Sequence, residues 1–562
     1  MTCYFKYYIM RNFLLIWLLL AGVIVTSCKD EKDFTSGLEP MEVKLSLSHT
    51  GEQFVELTVA NPTYSFNIMK NYPIYSTTAT LTAMSQDELG ETYTTLEENQ
   101  YSIESPELTI GDSEREHEVV ITFKNVMNLD PDLTYAIGLK LDSSSKKVGV
   151  DENRNKIIIT LRLGEIGTMG NPYVLSSAED LLGMKAKCKK DRINYFKLGA
   201  DIDMDGVTWT PLCPSAEYKL NFDGDNHTIK NLTCGGEGVA GPSFFGILCG
   251  TCENLKFENA NITSVNEPTG VVAASVGLAD FGIHESGSLK NVHVLSGTVR
   301  HNSIHNAAWW WSSLAGGLCG NLAYRGSLIT ECSANVNVTG SFVVGGLVGE
   351  ANSASMINKS YASGDVHSTT GFAGGLVGNI FYTTISDCYA TGKVSNPLGL
   401  AAGVAGGLVG RTDRGAEVDN CYSMSPVEAC VNGGGIIACS GFNQSGKNYV
   451  VGCVAWNPTL VAKNSNNDRN TGRICGFMQG PSSDGICWGE NCYARADMSV
   501  TINDEPVTKN EQSEMNTSGG ASLYEGRNAT NLISVTRDVL KWSTYIWDFS
   551  GDRPVFIWEK NK

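Results

Sequence analysis

The stretch with the greatest capacity for chemistry is His301-Asn302-Ser303-Ile304-His305-Asn306-Ala307-Ala308-Trp309-Trp310-Trp311. Three consecutive indoles cannot all face inward on a strand, because strand side chains alternate. At least one is expected to be exposed or on a loop. Exposed planar rings stack on sugar faces by apolar contact, while histidine and asparagine supply hydrogen bonds at the rim. Trp309, Trp310, Trp311, His301 and His305 are therefore the candidate ligand-binding residues. The competing expectation is that this insertion folds back and its tryptophans only cover neighbouring chain.

Other clusters carry less. Asp201-Ile202-Asp203-Met204-Asp205-Gly206 has the alternating oxygens and following glycine of the first half of a calcium loop. Leu212 stands where a bidentate Glu is required, and Ile202 and Met204 alternate with the acids as in a half-buried strand. Cys249 and Cys252 form a Cys-x-x-Cys pair with no second pair at zinc spacing, so core packing is expected. Arg411, Asp413 and Arg414 crowd one turn and read as a solvated turn. No Gly-x-Ser-x-Gly, His-Glu-x-x-His or P-loop occurs, and the acids of the regular repeats do not pair as a glycosidase requires. No catalytic residue, metal or cofactor is assigned.

The elements that must position these residues are repeats. Gly316-Gly317-Leu318-Cys319-Gly320 recurs as Gly345-Gly346-Leu347-Val348-Gly349, Gly374-Gly375-Leu376-Val377-Gly378 and Gly406-Gly407-Leu408-Val409-Gly410. Between the copies stand Ile329-Thr330-Glu331-Cys332, Ile357-Asn358-Lys359-Ser360, Ile385-Ser386-Asp387-Cys388 and Val418-Asp419-Asn420-Cys421. A period of roughly 30 residues means stacked supersecondary units. Aligning the second phrase predicts a core column of Leu232, Leu255, Val292, Cys332, Ser360, Cys388, Cys421, Cys453 and Cys492. The residue before each, Asn231 through Asn491, is expected to point away by strand alternation. Interchange of Cys with Leu, Val and Ser in that column marks the cysteines as small hydrophobes. Of the 17 Cys, an odd number remains once Cys3 and Cys28 are set aside, so complete pairing within one chain is excluded.

These phrases, together with Asn171-Pro172-Tyr173-Val174-Leu175 and Phe222-Asp223-Gly224, resemble proteins carrying GLUG repeats. The resemblance covers residues 171–562 and implies a right-handed parallel β-helix with an adhesin-like role. It also implies that the aromatic-rich end, Val539 to Trp558, is a C-terminal cap. Irregular spacing predicts loops at 265–315 and 456–489, where ligands would be met.

Before the repeats, residues 38–165 alternate at period two, as in Val43-Lys44-Leu45-Ser46-Leu47 and Tyr135-Ala136-Ile137-Gly138-Leu139. This predicts half-buried strands at sandwich spacing. The block resembles the immunoglobulin-like domain behind the anchor of many surface lipoproteins. Lys6 and Arg11 precede an apolar run, Phe13 to Val25, placed like a signal h-region. Val25-Thr26-Ser27-Cys28 resembles a bacterial lipobox, which implies lipidation at Cys28. The acidic cluster after it, within a tether at 28–37, is similar to a surface-export signal. The formal net charge of −18 excludes a basic face for nucleic acid.

The expectation is an all-β, lipid-anchored outer-membrane protein displayed at the cell surface. It comprises a signal peptide at 1–27, an immunoglobulin-like β-sandwich and a β-helix, and it binds a surface glycan or a host or partner protein. The alternatives are a polysaccharide-acting β-helix lyase or hydrolase and a passive structural subunit of a surface complex.

Overall fold

A computed structural model describes residues 42–561 except 57–61, 125, 127–128, 130–132, 163–165, 170, 214, 281–282, 303–311, 398–402, 441–446, 464–469, 480–485 and 519–520. The fold is all-β and divides into two units, Met1–Leu163 and Gly164–Lys562.

In the first unit, alternating sequence becomes two sheets over one core. One sheet orders Val148–Val150, Val43–Leu47, Thr63–Lys70, Glu116–Phe123 and Tyr101–Ile103. The other orders Gly51–Glu56, Lys156–Arg162, Tyr135–Ser143, Thr77–Ala83 and Glu107–Ile110. Leu45, Phe66 and Ile121 from the first meet Leu81, Leu139 and Ile159 from the second, all buried. The polar stretch after Ala83 holds a one-turn helix, Gln86–Leu89, closed by a capping box between Ser85 and Glu88.

The second unit is a stack of parallel coils. A regular coil has five short strands, such as Val343–Gly345, Val348–Ala351, Met356–Asn358, Tyr361–Ala362 and Val366–Ser368. First strands stack into a six-stranded sheet and fifth strands into a ten-stranded sheet. The second, third and fourth strands join a continuous 29-stranded, β-helix-like sheet. Each Gly-Gly-Leu phrase is the turn from first to second strand. A Cβ on Gly349 would stand 2.5 Å from the Gly320 carbonyl oxygen and 2.8 Å from the Ala315 nitrogen of the preceding coil. Only glycine lets the two strands close together there.

Register shows eight members of the expected core column in place, since Leu255 lies opposite Val292 and the flanking pairs carry the alignment through Cys332, Ser360, Cys388, Cys421 and Cys453 to Cys492. Leu232 is the exception. Thr228 pairs with Lys256, which puts Leu232 beside Ala260, at a different corner. Leu232 is buried all the same. The polar column also has a different cause from the one expected. Asn254, Asn291, Glu331, Lys359, Asp387, Asn420 and Asn491 are not alternating strand positions; all have φ between 47° and 56°. They form a left-handed corner between third and fourth strands, a conformation that asparagine and glycine tolerate best.

Both ends of the stack are covered. Leu181 and Met184, from the helices Ala178–Leu182 and Met184–Lys187, pack into the core at the first coils. Ser177 caps the first helix, accepting from the Asp180 amide. At the far end, Glu514–Ser518 and Ala521–Tyr524 pair antiparallel onto Ile486–Glu490 and Cys475–Gln479. Reversed strands there halt parallel stacking. The aromatic C-terminal segment, expected as a cap, lies instead along the flank of the coils. Trp547 reaches Tyr389 and Tyr422, Phe556 reaches Tyr361, and Trp558 stacks on His293 at 5.1 Å.

Candidate binding cleft

Second strands carry a column that the Gly-Gly-Leu turns fix in place. Ser275, Asn321, Glu350, Asn379, Arg411 and Cys439 lie opposite one another in successive coils. Val348 and Ala351 enter the core, and Glu350 between them lines a cavity of about 620 Å³ instead. Ser275, Asn321, Asn352 and Glu267 supply further polar lining, and Ile247, Leu278 and Leu314 supply apolar wall. Small residues at Ala274, Ala279 and Ala323 leave this volume empty. In later coils the same column meets bulk. The Arg411 guanidinium lies 5.1 Å from the Phe372 ring centre and 5.9 Å from that of Phe381. Phe372 and Phe477 pack there on Val404, Ala438 and Cys439. The open volume is thus confined to the earlier coils.

Glu350 is 6% exposed. Its Oε1 accepts from Asn352 Nδ2 at 3.1 Å and its Oε2 from Asn379 Nδ2 at 3.0 Å. Asn352 Nδ2 also donates to Asn321 Oδ1 at 3.2 Å, so the amides brace one another across coils. Burial pushes the Glu350 carboxyl up to about 7, against the opposing pull of the two amides and of Arg411. Burial also raises Glu267. Asn379 is fully buried, and its Oδ1 has no partner among the described residues. The described lining contains no Lys, Arg or His.

Of the residues singled out from the sequence, Cys28, His305, Trp309, Trp310 and Trp311 lie outside the described residues. His301, expected at a rim, is only 3% exposed. Its Nε2 donates to the Ser312 carbonyl at 2.9 Å, and burial lowers its pKa, so it is a buried structural imidazole. Cys249 and Cys252 are free and buried, with burial pushing Cys249 up to about 11. Asp201 accepts from the Thr228 amide and Asp203 from Asn231 Nδ2, so these acids brace the first coils. Arg411 and Asp413, read as a solvated turn, form a half-buried ion pair at 3.0 Å, the Asp413 side chain being 5% exposed.

Glu350 and its amide neighbours were missed. The signal was present: the residue directly after each Gly-Gly-Leu-x-Gly is Asn321, Glu350, Asn379 or Arg411, a polar column at a fixed offset from the repeat.

Two family models match the chain. One, described as a "-like, N-terminal domain", covers residues 30–148, and the GLUG motif covers residues 373–395. Halomucin of Haloquadratum walsbyi is 31% identical over 188 residues, which is 31% of this chain and 2% of that relative's own length. The chain therefore spans a small fraction of it. Among solved structures, a Bacteroides ovatus protein assigned as an immunoglobulin A1 protease is similar over 70% of this chain and 94% of its own, with 27% identity and a TM-score of 0.40. A protein of the same species assigned as carbohydrate-binding is similar over 21% of this chain and 37% of its own, at 12% identity and a TM-score of 0.19. The GLUG match begins at the turn Gly374-Gly375-Leu376-Val377-Gly378, the phrase that fixes the polar column of the cleft.

Proposed function

We propose that this protein is a glycan-binding protein of the cell surface, and that the cleft around Glu350 receives the glycan. In this reading Cys28 carries the lipid anchor in the outer membrane. The first unit is a spacer of the immunoglobulin-like class, and the coils, wound right-handed as a β-helix, present the cleft. The adhesin-like role belongs to the same proposal.

One observation carries it: a cavity of about 620 Å³ in which carboxyl and amide groups are braced above an aliphatic wall. Small-ligand sites are clefts of roughly this size with few, well-placed polar groups. Carboxylate and amide groups match the hydroxyls of a sugar, and Ile247 and Leu314 offer contact to its C–H faces. A glycan array probed with the purified protein tests the reading. Binding lost in Asn352→Ala, with circular dichroism unchanged, is the expected result. Binding indifferent to that substitution but lost in Trp310→Ala and Trp311→Ala would move the site to the 303–311 segment.

One observation favours a second reading, hydrolysis. Two carboxyl groups, Glu350 and Glu267, line one cleft, and burial holds Glu350 in the range of a general acid. New reducing ends released from a bound polysaccharide, and abolished in Glu350→Gln, would replace binding with cleavage.

A further inference from the structure

The cleft has more acceptors than donors. Each Glu350 oxygen receives one amide hydrogen, and a carboxylate oxygen can accept a second. Glu267 adds a second carboxyl to the lining. Both Asn352 amide hydrogens are already spent, on Glu350 and on Asn321, and one of Asn379's is spent on Glu350.

The charge balance points the same way. Arg411, the nearest cation on the column, is held by Asp413 at 3.0 Å and stacked on Phe372. Among the described residues, the only other charged group sharing the lining with Glu350 is Glu267. A buried carboxylate without a cation is costly, and a cation brought by a ligand offsets that cost. An acidic sugar would place like charges together in a low-dielectric cavity, at a cost that rises as water is excluded.

Resting on the glycan reading above, we infer that the glycan engages this cleft through a cationic amino sugar, whose ammonium seats against Glu350. An ammonium has three donors and no acceptor, which matches the surplus of acceptors. N-acetylation removes the charge and adds an acceptor, so the acetylated sugar fits less well. Uronate-bearing sugars are excluded by the two carboxyls.

Titration calorimetry on the purified protein at about neutral pH, where the raised Glu350 carboxyl can ionise against the ammonium, separates the claims. The probes are a glucosamine oligomer, the same oligomer N-acetylated, and an oligogalacturonate. The glucosamine oligomer is expected to bind at least about tenfold more tightly than its acetylated form. The galacturonate should give no heat. Glu350→Gln should erase the preference for the free amine while weak binding of both oligomers persists. Glu267→Gln, at a side chain outside the packed core, should lower that preference without loss of fold and covers the case in which the Glu350 variant misfolds. Equal or tighter binding of the acetylated oligomer would overturn the amino-sugar inference and leave the glycan cleft standing. No heat from any of the three oligomers would overturn both. Calcium ion binding alone, lost in Glu350→Gln, would overturn the inference in favour of a metal site.

Discussion

Lys359 sits at φ 47°, in a column otherwise occupied mostly by asparagine. A left-handed step presses Cβ toward the following carbonyl, at roughly 1–2 kcal/mol for an ordinary residue and more for a β-branched one. Lys359→Asn is expected to be neutral or slightly stabilising, and Lys359→Val to cost about 1–2 kcal/mol, as read from urea midpoints. The pair Lys359–Glu331, at 4.0 Å and partly exposed, adds little to either value. Glu350 makes a second prediction at this scale. Burial disfavours the ion and pushes its folded carboxyl up to about 7, above the ordinary 4.5. The native state therefore keeps a proton that the unfolded chain has released. Its contribution is fully present below pH 4.5 and is lost as pH rises through 7. Glu350→Gln should accordingly be more stable than the parent above neutrality, by up to ~3 kcal/mol, with the gap closing toward acid pH. The gain will be reduced because the new amide cannot accept from both asparagines. Denaturant midpoints across that range check the sign.

The C-terminal segment is the element whose placement most alters the picture of the stack. On the fourth strands, Tyr361, Tyr389 and Tyr422 stack at centroid distances of 4.6 and 4.9 Å. Trp547, 1% exposed, lies against that stack, and its Nε1 donates to Asp387 at 3.2 Å. Tyr389 donates to Glu559 at 2.8 Å, and Tyr422 to the Pro554 carbonyl at 2.6 Å. One segment thus joins coils that otherwise contact only their neighbours. Trp547→Ala should cost about 3–5 kcal/mol, and hydrogen exchange should rise at Tyr389–Ala390 and Tyr422–Ser423 before it rises in the first strands. Much of the fold at this scale was legible. The repeated phrases mark the coils, the cysteine column lies in the core, and most strands of the first unit show their alternation. Leu232 was misplaced because a single corner asparagine recurs at two different corners, Asn254 and Asn259. The lie of the C-terminal segment was not legible. Its partners stand more than a hundred residues earlier, and no local periodicity encodes a contact of that separation.

At the scale of the whole molecule, the cleft shows why part of a site escapes the sequence. Glu350 is one acid among 60 Asp and Glu, and only stacking brings it against Asn379 and Asn352 while small residues elsewhere leave the space open. The net charge of −18 sets the field in which that cleft works. Such a field attracts a polycationic glycan over distances near a Debye length, ~10 Å at 0.1 M salt, and repels a polyanionic one. Two electrostatic contributions then act on a glucosamine oligomer, and salt separates them. The long-range share is screened, whereas the enclosed contact with Glu350 is screened much less. Raising salt from about 0.05 to about 0.5 M should weaken the glucosamine oligomer on the order of tenfold and leave the acetylated oligomer unchanged. The preference that survives at high salt is then the share belonging to the cleft. That residual preference, and not the salt-sensitive part, is what Glu350→Gln should remove; a variant that loses only the salt-sensitive part would place the recognition on the surface field and outside the cleft.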